Sequence, residues 1–277
     1  MELKLLMEGK TKRVYGRSDG NLEFHFKDDA TGYIDPVTGK PVFDSGYDQV
    51  VGQIPGKSRI SCQFTRYFFE LLNKKGIPTH YVGTIADNVM VVKPATLLGV
   101  KAESDVEGAE DMYNLEWVFR FQAYGSFWRR YPCVRPGRRL RKLVEIYAKG
   151  LPGLPDILMV DDSLMELGIM SPGEVSHTKD LLRKIADVIY EECENRGLHV
   201  IDGKLEFGRD MDGNIFLIDD ISPDVIRVCR GADIDGDGDC TVADDCITTK
   251  VEEDGVKKIL AKNIISPDEL ATAFNIS

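Results

Sequence analysis

The chain has 277 residues, with 35 Lys and Arg against 46 Asp and Glu, a formal net charge of −11. A balance this acidic repels a phosphate backbone, so general nucleic-acid binding is disfavoured. No apolar run approaches the roughly 18–20 residues that cross a bilayer, and residues 1–8 lack the longer apolar core of a signal peptide, so a soluble, cytoplasmic protein with no membrane partner is expected.

Hydrophobic residues at 43% are ample for a buried core in one large domain or two lobes. Cys62, Cys133, Cys193, Cys229, Cys240 and Cys246 form no CxxC pair, which favours reduced thiols over disulfides or zinc. The first third reads as short strands at 3–7, 13–15 and 22–26, the last alternating Leu22, Phe24 and Phe26. Residues 31–56 hold Pro36, Pro41 and Pro55 among glycines, which suits no regular helix and leaves an active-site flap or a passive loop. From Ser58 the period changes, and Ile60, Phe64, Tyr67, Phe68, Leu71 and Leu72 make one helical stripe ended by Gly76 and Pro78. Residues 88–93 form a buried strand, and 101–114 an acidic, aperiodic loop between lobes. A second helix covers 174–196, with Val175, Thr178, Leu182, Ile185 and Ile189 inward and Gly197 closing it.

The most informative segment is 198–220. On a strand Asp202, Lys204 and Glu206 share one face, while Ile201, Leu205 and Phe207 share the other. A two-residue turn at Asp212-Gly213 would set Glu206 directly opposite Asp219, about 5 Å apart. Like charges so close need a bridging cation, and Mg²⁺ is the natural one; a slipped register, or compensation by Lys204 alone, is the alternative. With Ser222-Pro223-Asp224 and Arg227 nearby, a phosphorylated substrate is suggested.

At these residues the chain resembles the phosphoribosylaminoimidazole-succinocarboxamide synthase (SAICAR synthetase) family. The matching motifs are Glu8-Gly9-Lys10-Thr11-Lys12-Arg13-Val14-Tyr15, Asp28-Asp29-Ala30-Thr31, Gly76-Ile77-Pro78-Thr79-His80, Gly125-Ser126 with Arg129-Arg130, 201–208, and 219–224 with Arg227. The resemblance implies a two-lobed α+β fold, its N-terminal antiparallel sheet covering ATP and its C-terminal lobe holding substrate. The expected divisions are 1–98, a linker at 99–114, 115–230, and a tail at 231–277. It implies an ATP-dependent ligase that activates a ribotide carboxylate as an acyl phosphate and joins it to aspartate. By matching positions, Lys10 and Lys12 would contact the ATP phosphates, the strand end at Lys93 the adenine, and Glu206 and Asp219 magnesium. Arg120, Ser126, Lys204 and Arg227, with Asp202 and Asp224, would hold the ribotide, and Lys149 and Asp156 would lie beside its carboxylate. Stabilising charge on the phosphoryl oxygens is the task such cations perform.

Several positions depart from the family. Phe121 stands where Asn is usual and would remove a polar group near substrate; Gly203 replaces an aromatic and would open space behind its strand; Cys229 takes the place of a Trp. The motifs stop at Arg230. Beyond it, Asp233, Asp235, Asp237, Asp239, Thr241 and Asp244, with Gly238, follow the ligand order of an EF-hand loop, so this run reads as a Ca²⁺ site or a solvated acidic loop. Two further readings stay open: a relative joining a different amine to a similar ribotide, and a non-catalytic calcium-binding or interaction protein on the same fold. Association with further copies of the chain is also open.

Overall fold

The computed structural model describes residues 3–43, 49–102, 105, 107, 114–149, 156–229, 232–234, 240–242, 247–251, 257–261 and 266–276. Short antiparallel strands open the chain: β1 (Lys4–Glu8), β2 (Lys12–Gly16) and β3 (Leu22–Phe26). In β2 and β3 Val14, Phe24 and Phe26 turn inward, and Leu22 packs against them. Next come β4 (Asp29–Ile34), β5 (Pro41–Phe43) and β6 (Gln49–Gln53), a separate three-stranded ladder with β4 in the middle. The segment expected to be an irregular flap or loop is thus partly regular, because its prolines fall at strand ends and in turns.

Helix α1 (Lys57–Lys74) buries Ile60, Phe64, Phe68 and Leu72 of the expected stripe, keeps Tyr67 and Leu71 half-buried against the core, and stops where Gly76 takes φ 76°. β7 (Tyr81–Ala86) and β8 (Val89–Val92) complete the first sheet in the order β1-β2-β3-β8-β7, all antiparallel, with every residue of β8 buried.

The second sheet begins at β9 (Thr96–Leu97), inside the segment expected to belong to the first lobe. It continues through β10 (Leu115–Gln122), helix α2 (Gly125–Arg130), β11 (Arg139–Ala148), β12 (Ile157–Met159), and helices α3 (Asp161–Glu166) and α4 (Pro172–Glu194). Ser171 and Glu174 form a reciprocal capping box at the start of α4, with Pro172 in its first turn. All five residues expected to point inward from this helix are buried. β13 (His199–Arg209), β14 (Ile215–Ile218) and β15 (Ile226–Cys229) follow. The sheet order is β12-β11-β10-β13-β14, with β15 and β9 also on β13. One apolar cluster runs from Val14 and Phe24 through α1 to α4 and the second sheet.

Two short ladders end the chain, β16 (Ala232–Ile234) with β17 (Cys240–Val242) and β18 (Ile247–Val251) with β19 (Lys257–Ala261). Asp233 and Thr241, first and ninth in the expected calcium loop, are backbone partners across β16 and β17. Asp235, Asp237, Asp239 and Asp244 lie outside the described residues. Helix α5 (Pro267–Ala273) returns to the core, where Phe274 meets Phe64 at 4.8 Å between ring centres. No helix among the described residues is long and apolar enough to cross a membrane. Cys62, Cys133, Cys193 and Cys229 are thiols outside any disulfide, and burial pushes Cys62 and Cys193 up to about 12.

Candidate active site

β10 and β13 pair with Glu116 opposite Glu206, Val118 opposite Lys204 and Arg120 opposite Asp202. Directly paired residues share a face, so five ionisable side chains project together, while Trp117, Phe119, Leu205 and Phe207 enter the core behind them. The expected grouping of Asp202, Lys204 and Glu206 holds. Ile201 departs from it: a bulge between Val200 and Asp202 carries it to a second small cluster with Tyr124, Trp128 and Cys229.

The hairpin register also differs from expectation. Asp210, not Asp212, makes the turn: its carboxylate accepts from the N–H groups of Asp212 (2.9 Å) and Asn214 (2.8 Å), and Gly213 takes φ 85°. The extra turn residue shifts the pairing by one, so Glu206 faces Ile218. Asp219 lies just past β14 with φ 68°, and its carboxylate accepts from Lys12 Nζ at 2.7 Å.

Lys12 gathers the first cluster. Its ammonium, almost fully buried under Phe24 and Phe26, bonds Asp219 and Asp220. Burial opposes its charge, yet the two carboxylates hold it protonated well above the usual lysine range. Burial lifts the Asp220 carboxyl above its ordinary value despite Lys12. His80 sits beside them, its Nε2 3.1 Å from the Asp219 carbonyl, and burial drives its pKa down to about 3. Lys10 is exposed in the turn between β1 and β2, where the Gly9 N–H donates to the Lys12 carbonyl at 2.8 Å. At the end of β8 the exposed Lys93 donates its own N–H to the His80 carbonyl at 2.7 Å.

Lys149 makes the second cluster, donating to Glu206 at 2.5 Å and lying 3.5 Å from Glu116, which also accepts from Lys204 at 3.0 Å. Burial again opposes the charge, and Glu206, Glu116 and Asp219 raise it above the ordinary range. Lys149 therefore senses both expected magnesium ligands. Asn114 holds the other Glu206 oxygen at 2.9 Å. Asp156 is exposed one residue before β12 and so, like Lys149, flanks the Ala148–Ile157 pair.

The third group is a ladder of alternating charge that runs from the end of α2 across the four neighbouring strands β11, β10, β13 and β15. Arg130 bonds Glu145; Glu145 accepts from Arg120 Nε at 2.7 Å; Arg120 Nη1 donates to Asp202 at 2.6 Å; Asp202 accepts from Arg227 at 2.7 and 2.6 Å. Arg120 also donates to the Ser126 hydroxyl at 2.8 Å. Charges this buried persist only when paired, and in spite of burial Arg227 and Arg120 hold the Asp202 carboxyl below the usual range. Arg227 stacks on Tyr124 at 4.7 Å and passes so close to Gly125 that a Cβ there would lie 2.8 Å from Nη2. Asp224 faces α1 instead, accepting from Lys57 at 2.6 Å and Ser61 at 3.5 Å.

Glu116, Asn114, Glu145 and Lys57 were not singled out from the sequence, and His80 and Asp220 stood in the matching motifs without an assigned role. Alternation along 115–122 carried a signal for Glu116, since its partner on the same face is Arg120; nothing marked Asn114. Two expected departures change meaning. Phe121 packs in the core against Tyr190 at 4.7 Å, away from the Arg120 face. No space opens at Gly203: a Cβ there would lie 2.5 Å from the Phe119 ring, so that ring occupies the room an aromatic at 203 would take.

The family model described as SAICAR synthetase matches residues 5–261, well past Arg230 where the recognised motifs stop. A phosphoribosylaminoimidazole-succinocarboxamide synthase of Clostridium tetani is 36% identical over 231 residues, covering 82% of this chain and 93% of that one. One from Pyrobaculum calidifontis is 30% identical over 232 residues, covering 83% and 84%. A solved SAICAR synthetase in complex with ADP superposes with TM-score 0.67 at 29% identity, covering 83% of this chain and 84% of that chain.

Proposed function

As this chain belongs to the SAICAR synthetase family and is therefore an ATP-dependent ligase of purine biosynthesis, we propose that it sets ATP on the Lys12 side of the charged face and the ribotide on the arginine side. The reaction joins a carboxylated aminoimidazole ribotide to aspartate. Transfer of the terminal phosphoryl group to a carboxylate oxygen makes an acyl phosphate and releases ADP; attack by the aspartate nitrogen forms the C–N bond, releases phosphate and frees a proton. The observation that carries the assignment is the linkage of three cation–carboxylate clusters: Arg120 and the Glu206 partner of Lys149 share the β10–β13 face, and Asp219, which holds Lys12, also acts on the Lys149 charge.

In this reading Lys10 and Lys12 oppose phosphate charge, and the strand end at Lys93 borders the base. Arg120, Ser126, Lys204 and Arg227 hold the ribotide, with Asp202 fixing both arginines. Asp224 contributes by tying α1 to this region through Lys57. Lys149 and Asp156 are assigned to the reacting carboxylate and the incoming amine.

Glu206 and Asp219 offer hard oxygen donors of the kind Mg²⁺ takes, and each already carries a lysine ammonium, which marks both as places where positive charge belongs. Among the described residues no three or more His, Cys, Asp or Glu side chains are placed to hold a metal ion by themselves, but a nucleotide-bound Mg²⁺ needs only one or two carboxylates beside the phosphates. When bound it would neutralise charge developing on the transferred group. Glu206→Gln and Asp219→Asn should fold normally and lose turnover, with weaker Mg-ADP binding by calorimetry. Near-normal rates at saturating Mg-ATP would refute this pair.

The family's amine is aspartate, and with Phe121 in the core and the Gly203 space filled by Phe119, neither departure favours another. A separate proposal, resting on ligand order in the sequence alone, is that 233–244 takes Ca²⁺. Its melting temperature should then rise with free Ca²⁺ and fall with chelator, and no shift at millimolar Ca²⁺ would end it.

A further inference from the structure

We propose that His80 is a positioning residue that fixes the backbone of Asp219 and thereby aims its carboxylate into the site. Asp219 is one of three non-glycine residues with positive φ among those described, at 68°. An L-residue holds that conformation only where its surroundings over-determine it. Two contacts do so here. The side chain is held by Lys12 at 2.7 Å, and the carbonyl meets His80 Nε2 at 3.1 Å. A carbonyl oxygen can only accept, so Nε2 carries the proton and the tautomer is set.

The imidazole is itself immobilised. It lies edge-on to Phe24 and Phe69, with both ring centres 5.4 Å away, and is 2% exposed. Its backbone is clamped too: the His80 N–H donates to the Leu217 carbonyl at 3.0 Å, the Leu217 N–H donates to the Pro78 carbonyl at 3.1 Å, and the Lys93 N–H donates to the His80 carbonyl at 2.7 Å. Residues 78–80 therefore grip the chain two residues before Asp219 and at Asp219 itself, while bonded to the end of β8 in the first sheet. With an ordinary negative φ the Asp219 peptide would turn its carbonyl from His80 and its carboxylate from Lys12. Buried as it is, His80 acts through Asp219 rather than on substrate.

The inference rests on the assignment of Asp219 to the metal and phosphate side, so the test separates the two. Mn²⁺ is the probe, its binding to the ADP complex followed by electron paramagnetic resonance, alongside Michaelis constants for ATP and ribotide. His80→Phe keeps the ring and removes the donor; His80→Gln restores an N–H. The Phe variant should weaken Mn²⁺ binding at least fivefold and lower kcat at least tenfold, leave the ribotide KM within twofold, and show Asp219 at negative φ in a crystal structure. The Gln variant should recover much of the loss. If Asp219→Asn loses Mn²⁺ binding while His80→Phe binds as the wild type, the positioning role is refuted. If Asp219→Asn also binds as the wild type, the metal assignment fails, and the φ of Asp219 in the Phe variant still decides the role of His80: an unchanged 68° overturns it. Should the Phe variant not fold, His80→Leu serves in the same measurements.

Discussion

Replacing Lys12 with Met removes one buried cation and strands the Asp220 carboxylate, whereas Asp219, 31% exposed, can turn to water. The Lys12 side chain is 8% exposed and its partner Asp220 5% exposed, so water cannot take over the lost pairing. Removing one partner of a buried pair costs about 3–5 kcal/mol. At roughly 2–4 °C per kcal/mol for a chain of this size, the melting temperature should fall by roughly 6–20 °C. The loss has a pH signature. Burial already raises the Asp220 carboxyl above its ordinary value, and without Lys12 it should rise further. A folded-state carboxyl raised in this way makes the protein less stable as pH climbs from about 3.9 through the folded value. The deficit should therefore be smaller at pH 5 than at pH 8. In the wild type, Lys12 has the opposite partner effect: its raised value contributes stability that persists below about 10.4 and fades above it. Urea denaturation of both proteins at pH 5 and pH 8 measures this directly. A deficit under about 1 kcal/mol at pH 8, or an equal one at both, would refute the argument.

Glu145→Gln should raise the ribotide KM at least tenfold and leave the ATP KM within twofold in steady-state assays, because it frees Arg120 Nε and Arg130 on the ribotide side only. Gly203→Ala should cost about 1–3 kcal/mol by denaturation, as overpacking does, and Phe119→Leu in the same chain should recover part of it, since the added Cβ would lie 2.5 Å from that ring. Phe274→Ala should cost about 3–5 kcal/mol in melting experiments, because its ring meets Phe64 at 4.8 Å and Arg196 at 4.2 Å.

What the sequence disclosed follows from the range of the forces involved. The stripes on α1 and α4 and the alternation of β3 and β13 are local periodicities, and they placed helices, strands and the charged face of Asp202, Lys204 and Glu206. The register of the β13–β14 hairpin depended on which aspartate captured the turn's N–H groups. Asp210 and Asp212 are chemically identical candidates, and a one-residue choice between them decided what faces Glu206. Glu145 and Asn114 gain meaning only from residues 25 and 92 positions away, Arg120 and Glu206. The fit of Phe119 to Gly203 is likewise a pairing across β10 and β13, absent from either segment read alone.

β13 hydrogen-bonds to β10, β14, β15 and β9, so its eleven residues unite strands drawn from residue 96 to residue 229. During synthesis the earlier partners β9 and β10 leave the ribosome with an edge waiting for a later strand; Glu116 of β10 meets its partner Glu206 only 90 positions further along the chain. Such long-range closure makes the second sheet slow to assemble and exposes β10, whose eight residues are all buried in the finished fold, to wrong partners meanwhile. Once closed, the same strand cannot open without releasing its neighbours together. Its central amides should exchange with solvent only through global unfolding, making β13 the last part of the molecule to yield to deuterium.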